Sequence, residues 1–153
     1  MTQSYNATRG KGPPVNAITT RMAMFQSRRE QWRDARGFVD VFCEEANVPK
    51  DACLKCRLVL EELFLNTVKH GHKGGSDAPI WIRLSTDGAA VSLTYEDRAP
   101  PFNPFPSDRE EIRRTIEANR TEGGLGVILM HDLSQSAQYS YNFGRNRIQL
   151  TVA

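Results

Sequence analysis

The sequence predicts an α/β chain of the α+β kind, a two-layer sandwich in which a mixed, mostly antiparallel sheet is covered on one face by three helices. Three observations carry this prediction. Helical periodicity runs from Ser27 to His70 in two stretches, two pairs of alternating segments are joined by glycine-containing turns, and a glycine run opens a third helical stretch at Gly126. At 153 residues with 39% hydrophobic side chains, the chain can bury one core without disulfide or metal staples.

Residues 1–14 are polar and rich in Gly and Pro, and read as a mobile N-terminal tail, leaving residues 15–153 as one domain. A first strand is expected from Ala17 to Met24. Trp32, Ala35, Phe38, Val39, Phe42 and Cys43 then recur at helical spacing, giving an amphipathic helix that ends near Asn47 and Pro49. Its charged members, from Arg28 to Arg36, read as a solvated face. Pro49 and Asp51 open a second helix that runs to about His70 and closes at Gly71. Leu58, Val59, Leu60, Leu63, Phe64, Leu65 and Val68 surround nearly its whole circumference, which predicts deep burial.

Beyond a polar turn, Ile80, Ile82 and Leu84 alternate with Trp81, Arg83 and Ser85. Val91, Leu93 and Tyr95 alternate again after Asp87-Gly88, so this is a β-hairpin. Four prolines (Pro100, Pro101, Pro104, Pro106) and the charged stretch Asp108 to Arg120 follow. They read as a long loop with a short helix inside, a lid over about residues 99–123. Gly123-Gly124-Leu125-Gly126 leads into a third helix, and strands at Ala137 to Phe143 and Asn146 to Val152, turning at Gly144-Arg145, complete the sheet.

Charge and cysteine usage narrow the function classes. The 20 basic and 18 acidic residues are spread along the chain without a dense Lys/Arg block, so nucleic acid is not the expected partner. No apolar run approaches the roughly 20 residues that cross a bilayer, and MTQSYNATRGKGPP lacks the apolar core of a signal peptide. A cytoplasmic protein with no membrane contact is expected, and its three cysteines are expected as reduced thiols. Cys53 and Cys56 form a C-x-x-C, a pattern shared by redox pairs and half zinc sites. With an apolar helical setting, no second pair, and His70 and His72 off zinc-finger spacing, they read as small helix residues.

Glu62, Asn66 and His70 recur every four residues along the second helix. Each step advances about 400°, so the three lie on one slowly drifting line within reach of a common ligand. Mg²⁺ prefers oxygen ligands and keeps waters, so an Asn carbonyl plus phosphate oxygens suffices to hold it, and Glu62 can accept a proton from an attacking hydroxyl. The alternative is a polar stripe that meets a loop or solvent. Asp97 ends the strand Val-Ser-Leu-Thr-Tyr-Glu, where a fixed carboxylate can accept a hydrogen bond from an exocyclic amine; strand-terminal Asp is also a common turn former. The glycines at Gly123, Gly124 and Gly126 match neither the P-loop nor the dinucleotide fingerprint. Opening a helix, they can bring backbone N–H groups to phosphate oxygens, or simply join loop to helix.

The three signals stand in one order, E-x-x-x-N-x-x-x-H, strand then Asp, lid, and G-G-L-G. In that order they resemble the ATP-binding domain shared by gyrase, the Hsp90 chaperones, histidine kinases and MutL, the histidine kinase-like ATPase fold. Within it the chain is most similar to the bacterial anti-sigma-factor serine kinases, through EELFLNTVKHGH, EDRAPPFNPF and EGGLGVILMHDLSQSAQYSYNFGRNRIQL, over residues 15–153. The resemblance implies a serine/threonine kinase using ATP and Mg²⁺, with Glu62 as catalytic base, Asn66 as the Mg²⁺ ligand and Asp97 as the adenine contact. His70 lies beside them, Gly123, Gly124, Leu125 and Gly126 hold the phosphates, and Arg120 meets the γ-phosphate. It further implies a STAS-domain anti-anti-sigma protein as substrate, a sigma factor as second partner, and a homodimer. Ala99 departs from the family's Asp-x-Gly. If that position requires φ > 0, alanine costs about 1 kcal/mol, which keeps open a non-catalytic ATP-binding module that sequesters a regulatory protein.

Overall fold

The computed structural model describes residues 17–105, 114, 117 and 132–153. Strand β1 (Thr19–Gln26) leads through a 3₁₀ turn at Arg29–Gln31 into helix α1 (Trp32–Glu45) and helix α2 (Lys50–Asn66), which continues as a π-helical turn, Thr67–Gly71. Strands β2 (Pro79–Thr86), β3 (Val91–Asp97), β4 (Ser136–Asn142) and β5 (Arg145–Val152) complete the described elements. The sheet order is β1-β2-β3-β5-β4, and every neighbouring pair is antiparallel. Among the described residues the sheet is therefore antiparallel throughout, in keeping with the expected α+β fold and its mostly antiparallel sheet. Two helices cover one face; the expected third lies outside the described residues except for Asp132 and Leu133 at its end, which are helical. The tail at 1–14 and most of the lid also lie outside them.

Period decides which side chains form the core. In β2 the even residues Ile80, Ile82 and Leu84 are fully buried, and in β3 the odd residues Val91, Leu93 and Tyr95 match them. Val39 and Phe42 of α1, and Val59, Leu60, Leu63 and Phe64 of α2, pack on that face. Phe25 of β1 meets the rings of Phe38 and Phe64 at centroid distances of 6.1 and 6.5 Å, and Trp32 meets Phe64 at 5.7 Å, so the aromatic group joins β1 to both helices. The all-round burial expected for α2 is corrected: Leu54 is 47% exposed, and Leu58 and Leu65 are only partly buried. Cys43 and Cys56 are buried and Cys53 is partly so, all three as free thiols; burial pushes the Cys56 thiol up to about 12.

The turns explain the small shifts in element ends. Between β2 and β3, the Thr86 hydroxyl donates to the Ala90 carbonyl at 2.7 Å and accepts from the Gly88 N–H at 3.0 Å, where Gly88 has φ +100°. The turn between β4 and β5 is Phe143-Gly144, one residue earlier than expected, with φ of +53° and +73°. Positive φ at both central residues is the type I′ geometry that matches strand twist. The pairing register sets Asp97 opposite Asn146, so the helix-facing rows of β3 and β5 end on two buried polar residues. None of the helices searched among the described residues is long and apolar enough to cross a membrane.

Gly37 lies exposed in the middle of α1, and nothing stands within 4 Å of a Cβ built on it. Gly37→Ala is expected to raise stability by about 0.5–1 kcal/mol, by removing backbone freedom from the unfolded chain. A urea unfolding midpoint that rises with unchanged slope is the measurement.

Candidate functional site

The carboxylate of Asp97 is 5% exposed, at the last position of β3. A buried carboxylate must find donors, and Asp97 finds them in three segments of the chain. The Thr67 hydroxyl donates to Oδ2 at 2.7 Å, the Asn146 Nδ2 to Oδ1 at 2.8 Å, and the Ala99 N–H to Oδ1 at 3.1 Å. A carboxylate has about four acceptor positions, so among the described residues Oδ2 keeps one open. Proton economy orders the rest. Thr67 gives its single proton to the carboxylate, and therefore accepts from the Tyr95 hydroxyl at 2.5 Å. Burial first, and the Asp97 charge second, push the Tyr95 phenol well above its usual range, so it stays a donor.

Thr67 reaches Asp97 where the helix changes its winding. Beyond Asn66 the chain forms a π turn, closed by the His72 N–H on the Thr67 carbonyl five residues back at 3.0 Å. Single π turns inside helices are a recurring feature of functional sites. The change also ends the four-residue line of Glu62, Asn66 and His70. Glu62 and Asn66 are partly buried, whereas His70 is exposed. Burial first, and the neighbouring Glu61 charge second, raise the Glu62 pKa above its usual value.

Asn146 anchors the start of the lid. Its Nδ2 also donates to the carbonyls of Ala99 and Pro100, at 3.0 and 3.1 Å, while its Oδ1 accepts from the Phe102 N–H at 3.1 Å and the Tyr139 hydroxyl at 2.6 Å. Donors and acceptors on both sides fix the amide orientation. Residues 99–102 are thereby tied to the β4–β5 hairpin. Ala99 is 5% exposed, and the non-glycine residues with positive φ are Asn47, Lys73 and Phe143, so the strain expected at Ala99 is absent. Its methyl instead fills space beside Gly71: a Cβ on Gly71 would sit 2.6 Å from the Ala99 Cβ.

The structure thus brings Asp97 and Ala99 to the end of α2, through Thr67 and Gly71. Arg120, Gly123, Gly124, Leu125 and Gly126 lie outside the described residues. Thr67, Tyr95, Tyr139 and Asn146 were not legible as site residues. The one sequence signal that could have found Thr67 is a hydroxyl among apolar neighbours on a helix expected to be deeply buried; nothing comparable marks the other three. For Mg²⁺, the partly buried Asn66 and Glu62 offer the hard oxygen donors that the ion prefers. No group of three or more His, Cys, Asp or Glu side chains that could hold a metal occurs among the described residues.

Residues 25–152 match the family model of the histidine kinase-like ATPase domain. No curated protein matches the chain.

Two outcomes are expected. Gly71→Ala overpacks against Ala99 and lowers stability by about 2 kcal/mol, and adding Ala99→Gly restores most of the loss, read by thermal melting of both variants. For Glu62, a carboxyl whose folded pKa is raised destabilises the fold once ionised. Glu62→Gln therefore melts higher than wild type at neutral pH, and the gap closes as the pH falls below the ordinary glutamate range.

Proposed function

The chain belongs to the histidine kinase-like ATPase domain family, and on that premise we propose that it binds Mg²⁺–ATP and acts as a cytoplasmic serine/threonine protein kinase of the anti-sigma type. Its substrate is a STAS-domain anti-anti-sigma protein, its second partner a sigma factor, and its working form a homodimer. The observation that carries the nucleotide part of this reading is the Asp97 carboxylate, held by three donors among the described residues, which leave one acceptor position open. An exocyclic amine such as that of adenine donates into such a position, whereas the guanine carbonyl presents an acceptor to it.

The chemistry follows from Glu62 and Asn66. Glu62 takes the proton of the substrate serine hydroxyl as its oxygen bonds to the γ-phosphorus and the bond to the β–γ bridging oxygen breaks, releasing ADP. Burial, and then the Glu61 charge, raise its pKa, which makes it a stronger base than an ordinary glutamate. Asn66 would hold Mg²⁺ by its carbonyl oxygen, and the ion, when bound, neutralises phosphate charge. The glycine turn from Gly123 to Gly126, with Arg120, would meet the phosphates, with the lid at about residues 99–123 above them. The alternative, a non-catalytic module, drew its support from a strained Ala99, and Ala99 carries no positive φ.

Calorimetry and phosphate transfer to a STAS protein encoded beside the chain's own gene test the reading. Asp97→Asn is expected to lose roughly tenfold or more in ATP affinity, the scale of one charge-assisted hydrogen bond. Glu62→Gln keeps ATP affinity and abolishes transfer. Wild-type protein that binds no ATP, or binds ATP and GTP equally, overturns the assignment of Asp97.

A further inference from the structure

Strand β1 ends the sheet, and no other described strand lies on its far side. Its eight residues, TTRMAMFQ, pair with β2 in unbroken register and contain no proline, lysine or bulge; Arg21, on the helix-facing row, is the one charged residue among them. The residues that point away from the helices are Thr20, Met22, Met24 and Gln26, with Ile18 continuing the row, and none is charged. Ile18, Met22 and Met24 are 71%, 68% and 64% exposed. Among the described residues, the edge strand thus offers unpaired backbone groups beside a row of exposed apolar side chains. The opposite edge does not: the corresponding row of β4 is Ser136, Gln138, Ser140 and Asn142.

We propose that β1 is the seam of a homodimer, in which two copies pair their β1 strands antiparallel across a two-fold axis and bury Met22 and Met24 against their symmetry mates. This rests on the homodimeric part of the reading above and not on its phosphoryl chemistry. Charge selects edge pairing over stacking of the two open sheet faces. Beyond β1 that face carries Arg83, Arg98, Arg145 and Arg147 around Trp81, with Arg145 at 3.8 Å and Arg98 at 5.4 Å from the ring centroid. Glu96 is the acidic residue among them, 3.8 Å from both Arg145 and Arg147. Stacked faces would set this positive excess against itself. Edge pairing places the nearest of these, Arg83, three strand spacings from its mate, about 14 Å, beyond the roughly 10 Å over which exposed charges act. On the other side of β1, Arg21 is 3.4 Å from Glu45. A two-fold seam is self-complementary, and methionine's flexible side chain packs readily against a copy of itself.

Light scattering on the eluting full-length chain tests the seam. The wild type is expected to be a dimer, while Met22→Glu/Met24→Glu and Met22→Lys/Met24→Lys are each monomeric alone and form a dimer when mixed. Hydrogen exchange should slow at β1 amides when the wild type passes from dilute monomer to dimer. A monomeric wild type overturns both this proposal and the homodimeric reading. A dimer that survives in both charged variants overturns the seam and leaves the homodimer standing. Charged variants that stay monomeric on mixing, or a dimer with no added protection in β1, overturn self-pairing of the edge.

Discussion

The burial of one carboxylate organises the functional end of this molecule. Asp97 sits where a core row would normally end in a turn, and taking its charge out of water is tolerable only with donors around it. Those donors come from the end of α2, the first residues of the lid and the β5 strand, so three segments far apart in sequence are fixed to each other by one side chain. Losing any one donor would leave charge unmet, on the order of 1–3 kcal/mol. The network therefore acts as a positional constraint as much as a source of stability.

Its geometry depends on how α2 ends. An uninterrupted α-helix would carry the line from Glu62 through Asn66 to His70 onward with constant drift; the π turn widens the path at Thr67. Close approach at Gly71 then seats the Ala99 methyl, since a Cβ on Gly71 would lie 2.6 Å from the Ala99 Cβ. The contact is made without positive φ at position 99.

Asn146 shows how the sheet reaches the lid. Opposite Asp97 in the register, it uses both ends of its amide, with Nδ2 toward Asp97, Ala99 and Pro100 and Oδ1 toward Phe102 and Tyr139. On the other face of the same strand ends, Arg98 and Arg145 lie on Trp81. The segment at 97–98 and the start of β5 are thus gripped from both sides of the sheet, by the hydrogen bonds of Asn146 within and by cation–π contact without.

The fold class, the two helices and the two hairpins were legible in the sequence because they rest on periodicity: alternation in β2, β3 and β5, and apolar recurrence in α1, are local consequences of which face must be buried. The order of Glu62, Asn66 and Asp97 was legible for the same reason, as each lies on an element that the pattern identifies. The partners of Asp97 were not. Thr67 and Asn146 read as ordinary polar residues until the strand order β3-β5 and the helix packing bring them to one point, and the winding change after Asn66 leaves no mark in apolar spacing. Sequence by itself determined which faces turn inward, through side-chain period and solvent; tertiary structure alone decided which polar groups meet there, since hydrogen-bond partners are chosen by position in space and not by separation along the chain.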